Sequence, residues 1–178
     1  MKVGISAWSY RWLFGNGKMT YAAFLDEVKR RKADSFEIFP GFLDDERVAA
    51  QVKRIAKKAK RLRLGISSLI VCNDFARPAA TERAEQVERM KRFIDAAADA
   101  GIRRLNTFTG YHVDGQDPTM ECMRVIDAYR EAMPLAERRK VLLCIENHSS
   151  VCRDADSLLW LIRAVGSPAL RTNPDPTN

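Results

Sequence analysis

The sequence has no long apolar segment. None of its hydrophobic runs approaches the roughly 18 residues that a membrane-spanning helix needs. Its first residues, MKVGISAWSY, carry one lysine and then a strand-like alternation, without the longer apolar core of a signal peptide. We therefore expect a cytoplasmic protein with no membrane partner. Its 178 residues are enough for a substantial core, and we expect a single domain over 1–178.

Cysteine is sparse and widely spaced. The four residues are Cys72, Cys122, Cys144 and Cys152, and the sequence contains no C-x-x-C pair. This spacing excludes a zinc-finger arrangement, and a chain of this size and type does not depend on a disulfide framework. We therefore expect four reduced thiols, two of them buried in strands.

Glycine-rich phosphate motifs are also missing. No such turn follows the first predicted strand, and GNG at 15–17 is a lone turn that matches neither of the common phosphate motifs. A dinucleotide-binding fold therefore has little support.

Positive charge, by contrast, is in excess, with a formal net charge of +7. The densest basic run is KRIAKKAKRLR at 53–63, but Val52, Ile55 and Ala59 recur through it at helical spacing. This pattern predicts an amphipathic helix whose basic face is solvated. The alternative, a surface that binds anions, stays open.

Six apolar runs alternate with helical patterns along the chain. The predicted strands lie at 2–8, 35–39, 64–71, 103–108, 141–146 and 169–173. The predicted helices include one capped by Thr81, one over 119–133, and a last one capped by Asp154 or Asp156. A βα unit that repeats about every 30 to 40 residues predicts parallel strands joined by helices.

Two α/β architectures fit this repeat, a doubly wound open sheet and a (β/α)₈ TIM barrel. A complete barrel needs eight units and typically ~250 residues. This sequence has six predicted strands and ends on the sixth.

Polar and aromatic side chains collect where the predicted strands end. Because the carboxyl ends of parallel strands share one edge, binding and catalytic sites form there in both architectures. Along this rim the sequence places Trp8, Tyr10, Glu37, Phe39, Asn73, Asp74, Thr107, Thr109, Glu146, Asn147, His148, Asp175 and Asn178. This clustering is the strongest functional signal in the sequence.

Glu146 and Asp175 are the candidate metal ligands. Glu146 ends the apolar strand VLLCIE, where an isolated buried charge is costly unless it has a partner. Asp175 occupies the matching place after the next strand, and two carboxylates on adjacent strand ends make half of an oxygen-rich divalent site. The alternative is that Glu146 caps a helix or pairs with an arginine, and that Asp175 only forms a turn.

Three other rim residues each admit two interpretations. His148 is a ligand, an acid or a substrate contact, or else a loop residue packed against its neighbours. Glu37 is a substrate or supporting group, or else part of a structural ion pair. Trp8, with Tyr10 and Phe39, stacks on a sugar face or belongs to the core.

Five segments of the sequence resemble a known family. FEIFPGF, NDFARP, MKRFIDAAADAGIRRLNTFTG, LLCIENHSS and VGSPALRTNPDPTN are similar, in this order, to the xylose isomerase-like TIM barrels. These proteins are often labelled sugar phosphate isomerases or epimerases and share a superfamily with apurinic endonucleases of the endonuclease IV type. The resemblance implies an α/β fold of the (β/α)₈ TIM-barrel type, present here as about six βα units and truncated before the last two strands.

The resemblance also implies one divalent metal, commonly Mn²⁺, Mg²⁺, Co²⁺ or Zn²⁺. Members of the superfamily hold it with a Glu from the fifth strand, an Asp from the sixth, a His from the seventh and a Glu from the eighth. Glu146 and Asp175 match the first two, and the last two would lie beyond Asn178. Sugar 3-epimerases have a substrate-binding Glu where this chain has Cys152, and a His where it has Asn178. Its two histidines are too few for the multi-zinc site of the endonuclease branch.

The resulting hypothesis is a metal-dependent isomerase or epimerase of a sugar, sugar phosphate or hydroxy-ketone, working by proton transfer through an enediolate. Glu146 would move the proton. The substrate contacts would be Glu37, Trp8, Asn147, His148 and Asn178. With two of four ligands, this chain should turn over negligibly.

Two other functions stay open. One is a barrel fragment that binds a metabolite or a partner without catalysis, and the other is an apurinic-endonuclease-like DNA repair enzyme. We also expect the incomplete sheet to expose apolar residues on its inner face and to self-associate through its edge strands.

Overall fold

The computed structural model describes residues 2–148 and 150–178. These residues form six strands, β1 (Gly4–Ser6), β2 (Ser35–Ile38), β3 (Gly65–Ile70), β4 (Arg104–Thr107), β5 (Leu142–Glu146) and β6 (Leu170–Asn173). They also form six α-helices, α1 (Arg11–Gly15), α2 (Tyr21–Arg30), α3 (Val48–Leu62), α4 (Ala80–Asp99), α5 (Pro118–Arg139) and α6 (Ala155–Val165). Short 3₁₀ turns lie at Ala7–Tyr10, Pro40–Phe42 and Asp45–Arg47.

The strands run parallel and follow one another in chain order from β1 to β6. A doubly wound sheet reverses its strand order part-way along, and this sheet does not. Consecutive parallel neighbours with helical crossovers are the arrangement of a TIM barrel. The prediction of an incomplete TIM-barrel-type fold is confirmed, with five complete βα units and a sixth strand in the described residues, and the doubly wound alternative is wrong.

The side chains of each strand alternate between the helices and the interior of the barrel. The helix-facing positions carry the apolar core, and Phe36, Ile38, Leu105, Leu143 and Ile145 are fully buried there. Because parallel neighbours in register share a face, the pairing of Glu37 with Ser6 and with Ser68 puts all three on the interior side. The core thus lies between the sheet and the helices.

The interior-facing positions are mainly small or polar. Residues that line a cavity of about 480 Å³ in the interior include Gly4, Ser6, Glu37, Ser68, Arg104, Asn106 and Cys144. The expectation of an exposed apolar inner face is therefore wrong, because the apolar residues of the strands pack outwards against the helices. In the described sheet β1 and β6 each have one neighbouring strand, so association through these edges stays a prediction.

Three of the described α-helices, α2, α5 and α6, begin with a side-chain cap. Asp154 caps α6 by accepting a hydrogen bond from the Ser157 backbone N–H at 3.0 Å, as predicted. Thr81 is not a cap, because α4 already begins at Ala80. Helix α5 continues past the predicted end at 133 and through Pro134 to Arg139. Tertiary burial on both sides of the proline, at Met133 and Ala136, holds that helix together.

Helix α3 is amphipathic, as predicted. It buries Val48, Val52, Ile55 and Ala59 against the core and leaves its basic side chains on the outside of the barrel. No helix in the described part of the chain is both long and apolar enough to span a bilayer.

The four cysteines are free thiols. Cys144 lies in β5 and is half-buried, whereas Cys72 is exposed beyond the end of β3. The buried cysteine is Cys152, in the loop after β5. The expectation of two cysteines buried in strands is therefore wrong, because β3 ends at Ile70, before Cys72.

Candidate active site at the carboxyl ends of the strands

Glu37 is held inside the barrel by two serines. Its carboxylate accepts hydrogen bonds from Ser6 Oγ at 2.9 Å and from Ser68 Oγ at 2.6 Å. Burial raises the pKa of Glu37, the two hydroxyls oppose this rise, and the charge of Glu146 adds to it. Within the described residues no cationic side chain lies at salt-bridge distance from Glu37, so the ion-pair interpretation is wrong.

Glu146 closes β5 and also turns its carboxylate to the interior. Oε2 accepts a hydrogen bond from Asn106 Nδ2 at 2.6 Å, and Oε1 accepts one from Asn178 Nδ2 at 3.0 Å. The side chain is 16% exposed. Because its hydrogen-bond partners among the described residues are two amides, the interpretations of Glu146 as a helix cap or an arginine partner are wrong.

A buried oxygen beside Glu146 lacks a partner. Asn106 donates its Nδ2 hydrogen to Glu146, but its Oδ1 atom has no hydrogen-bond partner among the described residues. An unsatisfied buried acceptor costs free energy. A hydroxyl group or a cation entering the cavity would relieve that cost.

Asn147 and Asp175 join the ends of β5 and β6. The backbone N–H of Asp175 donates to Asn147 Oδ1 at 2.7 Å, and Asn147 Nδ2 donates to the Asp175 backbone oxygen at 3.0 Å. The Asp175 carboxylate instead accepts hydrogen bonds from the hydroxyl and the backbone N–H of Thr177, at 2.7 and 2.8 Å. These two bonds lower the pKa of Asp175. Asp175 thus reaches the same rim as Glu146, with its Oδ1 atom engaged in its own turn.

His148 lies at the rim close to Glu146. Its Nδ1 atom is 3.9 Å from Glu146 Oε1 and 3.4 Å from Asn178 Oδ1, and its ring centroid is 5.4 Å from that of Phe108. The side chain is 48% exposed. The structure therefore brings together Glu146, His148 and Asn178, three of the residues that the sequence places at the rim.

Two of the three aromatic residues lie at the rim and one does not. Trp8 packs against Phe39 with a centroid distance of 4.7 Å, the Arg11 guanidinium lies 5.0 Å from the Trp8 ring centroid, and the residue is 48% exposed. Tyr10 turns away, since its hydroxyl donates to Glu27 at 3.5 Å and its ring packs edge-on against Phe24. Tyr10 therefore belongs to the packing of α2, whereas Trp8 stays a candidate substrate contact.

Sequence reasoning missed three small polar residues within the strands. Ser6, Ser68 and Asn106 hold the two carboxylates in place. None of them stands out in the sequence, because small polar residues are ordinary inside strands. The available signal was the alternation of side chains along each strand. Residues that pair with Glu37 in the neighbouring strands must lie on the same face of the sheet as Glu37.

The loops behind the rim are tied to one another. Asn73 Nδ2 donates to the Phe108 backbone oxygen at 2.6 Å and its Oδ1 accepts from the Phe108 N–H at 3.0 Å. The Val151 N–H donates to the Gly110 backbone oxygen at 3.3 Å. The loops after β3, β4 and β5 therefore form one connected support for the site.

The donor set at the rim is rich in oxygen. Glu146 and Asp175 offer carboxylates, and Asn106 offers an unpaired amide oxygen, which are ligand types that hard divalent cations prefer. The described residues do not gather three or more His, Cys, Asp or Glu side chains around one point. The rim thus offers some of the oxygen ligands that a divalent cation needs. The remaining ligands would have to come from outside the described residues.

Comparisons with known proteins agree with this fold. A D-tagatose 3-epimerase-like protein superposes with a TM-score of 0.80 at 16% identity, and D-psicose 3-epimerase with 0.78 at 17%. A probable 3-DHS dehydratase from Bacillus anthracis gives 0.77 at 18%. Each covers 98% of this chain, but the chain covers only 65%, 63% and 63% of theirs, respectively, so it spans less than two thirds of their length. At these identities the superpositions establish the fold alone.

The family assignment rests on the sequence. No curated protein sequence matches the chain. A profile of one family, described as the xylose isomerase-like TIM barrel, matches residues 15–178. Because this match covers nearly the whole chain and agrees with the parallel six-stranded fold, the protein belongs to the xylose isomerase-like TIM barrel family.

Proposed function

We propose that this chain is part of a divalent-metal-dependent sugar isomerase or epimerase. The observation that carries the proposal is the placement of Glu146, an inward-facing carboxylate at the end of β5. Asn106 and Asn178 fix its two oxygen atoms above a polar cavity. A carboxylate held in this way, without a lysine or arginine partner in the described contacts, suits a group that takes a proton and returns it.

The lining of the cavity supports a substrate rich in hydroxyl groups. Ser6, Ser68 and Asn106 present hydroxyl and amide groups to a volume of about 480 Å³. Trp8, which is 48% exposed, adds aromatic surface against which a sugar could pack. Two of the proteins with similar folds are named for 3-epimerization of ketose sugars. A sugar, a sugar phosphate or another hydroxy-ketone is therefore the proposed substrate class.

In the proposed reaction Glu146 takes the proton from the carbon next to the substrate carbonyl, and later returns a proton to complete the change. Asn147, His148 and Asn178 orient the substrate hydroxyls at the rim. Glu37, held by Ser6 and Ser68 in the same cavity, is a further candidate contact for a substrate hydroxyl. A divalent ion held by Glu146 and Asp175 would stabilise the negative charge that develops on the enediolate oxygens.

A second candidate function is binding without catalysis. Two observations favour it, the engagement of the Asp175 carboxylate by Thr177 and the sulfur of Cys152 lying against Cys122 instead of in the cavity. A barrel of this kind would bind a sugar or another metabolite with no requirement for metal. The basic face of α3 lies on the outside of the barrel, away from the cavity lining, so the geometry adds nothing to a DNA-repair function.

Two measurements on the 178-residue chain test the proposal. We expect Mn²⁺ to bind weakly in calorimetric titration, and Glu146→Gln to weaken it by roughly tenfold, because a ligand carboxylate is lost. We also expect slow, Mn²⁺-dependent exchange of a ketose C–H proton with D₂O, followed by NMR and absent in Glu146→Gln. Glu82→Gln, an exposed carboxylate on α4, is the matched control.

The two measurements separate the candidate functions. Unchanged Mn²⁺ affinity in Glu146→Gln would contradict the assignment of Glu146 as a ligand. Saturable binding of a ketose that is indifferent to Mn²⁺ and to Glu146→Gln would favour the non-catalytic function.

A further inference from the structure

Two thiols meet behind the candidate active site. Cys122 lies near the start of α5 and Cys152 in the loop after β5, and their Sγ atoms are 2.8 Å apart. A disulfide bond is about 2.05 Å long, so the two sulfurs need only a small adjustment to become bonded. The described contacts join neither Cys72 nor Cys144 to another sulfur.

The backbone around Cys152 is already docked where the contact forms. The Val151 N–H donates to the Gly110 backbone oxygen at 3.3 Å, and Thr109 Oγ1 donates to the Val151 backbone oxygen. Cys152 itself has a φ of 51°, the left-handed conformation that favours glycine. The loop thus holds a cysteine in a costly backbone conformation with its sulfur against Cys122.

The two sulfurs differ in access to solvent. Cys152 is 7% exposed, and Cys122 is half-buried. Burial raises the pKa of Cys152, and its contact with Cys122 raises it further. Because the thiolate is the form that reacts with oxidants, this arrangement favours Cys122 as the first thiol to react and Cys152 as the second.

We propose that Cys122 and Cys152 form a reversible disulfide that fastens the loop after β5 to helix α5. A hydroperoxide oxidises the Cys122 thiolate to a sulfenic acid, and its O–O bond breaks to release water or an alcohol. Cys152 then attacks the sulfenic sulfur, the S–S bond forms and water leaves. The two thiols lose two electrons in total and the peroxide gains them. A dithiol reductant reverses the reaction by thiol–disulfide exchange.

The disulfide bears on the candidate site because the same loop begins with Asn147 and His148. Oxidation fixes the far end of that loop to α5, which restricts the motion of its rim residues. The proposal does not depend on the sugar reaction, since the two thiols and their contact exist whatever the cavity binds.

The test uses a Cys72→Ser/Cys144→Ser variant, in which the pair supplies the only thiols. We expect a stoichiometric amount of hydrogen peroxide to remove both thiols from a titration with Ellman's reagent under denaturing conditions. Peptide mapping should give one crosslinked species joining Cys122 to Cys152, and dithiothreitol should restore both thiols. Oxidation should raise Tm by roughly 5 to 10 °C and slow amide exchange in the loop after β5.

Two single-cysteine variants and the wild-type chain serve as controls. Cys122→Ser and Cys152→Ser, each added to the same background, should show no rise in Tm with peroxide and no monomeric crosslink. Differential alkylation of the unmodified chain makes the result independent of how well these variants fold. Two thiols that remain separately alkylated after peroxide treatment, or crosslinks that form between chains only, would overturn the proposal.

Discussion

At the scale of single residues, the barrel interior keeps two carboxylates in different surroundings. Glu37 sits between the hydroxyls of Ser6 and Ser68, deep in the sheet. Glu146 sits at a strand end between the amides of Asn106 and Asn178, beside His148. Both accept hydrogen bonds from neutral donors, so neither charge is neutralised by a lysine or arginine in the described contacts. The two carboxylates are therefore available to a substrate or a cation.

Glu37→Gln should stabilise the chain at neutral pH. Burial raises the folded-state pKa of Glu37 above its ordinary value of 4.5, so the wild-type chain loses stability as pH rises through that range. Glutamine keeps the shape without the charge. Its amide oxygen can accept from one serine, and its amide nitrogen can donate to the other serine once that hydroxyl has rotated. We expect a gain on the order of 1 kcal/mol at pH 7, which is roughly 2 to 4 °C in Tm.

The pH profile decides whether charge is the cause. In thermal unfolding followed by circular dichroism, the difference between Glu37→Gln and wild type should shrink as pH falls below about 4.5, where glutamate is protonated in both states. Glu85→Gln, exposed on α4, serves as the control and should change Tm little at any pH. A constant difference across pH would mean that packing, and not burial of charge, separates the two chains.

At the scale of elements, the strands were predictable and the details of the helices less so. Short apolar runs at regular intervals identify parallel strands, because such strands are buried on the helix side and bounded by polar loops. The passage of α5 through Pro134 was not predictable, since it depends on tertiary packing of Met133 and Ala136. The cap predicted at Thr81 failed because α4 starts at Ala80, without a side-chain cap.

At the rim, too, some features could be predicted from the sequence and others could not. Glu146 ends a predicted strand, and Asn147, His148 and Asp175 come shortly after predicted strands, so their place at the rim could be predicted. The hydrogen bonds of Asn106 and the contact of Cys122 with Cys152 join distant elements, so sequence alone could not reveal them.

Gly110 is the backbone position on which the connected loops depend. Its φ is 128°, and an added Cβ would clash first with the Asp74 carboxylate and would lie 2.8 Å from the Ala76 nitrogen and 2.9 Å from the Ala76 Cβ. We expect Gly110→Ala to cost about 2 to 3 kcal/mol, or roughly 4 to 10 °C in Tm, because strain and crowding add. Differential scanning calorimetry would measure the loss.

Gly115→Ala is the matched control in the same loop. Its φ of 79° carries backbone strain, but a Cβ there would meet nothing within 4 Å. The control should therefore lose only about 1 kcal/mol. Equal losses in the two variants would show that crowding against Ala76 contributes nothing.

At the scale of the whole molecule, six strands and the helices between them form a continuous layer of core but leave a sheet with two ends. The apolar side chains of the strands are buried beneath helices, and the inner face is mainly polar. The fold of the described part therefore does not depend on burying the barrel interior. In the described sheet, β1 and β6 each have a backbone edge that no neighbouring strand covers.

We predict that the 178-residue chain self-associates through these edges. An unpaired strand edge is a template for another strand, and exposed Thr172 lies in the middle of β6. Light scattering coupled to size-exclusion chromatography should show a mass that rises with concentration. Thr172→Lys should shift this association to roughly tenfold higher concentration, since a charge on an edge strand opposes pairing.

Trp160→Ser separates this mode of association from another one. Trp160 lies on α6 with 46% of its surface exposed, and Leu159 beside it is 45% exposed. If association depended on this apolar helix surface, Trp160→Ser would abolish it and Thr172→Lys would not, and the edge prediction would be wrong. We expect the opposite order of effects, because β6 offers a row of backbone donors and acceptors, whereas α6 has satisfied its own backbone within the helix.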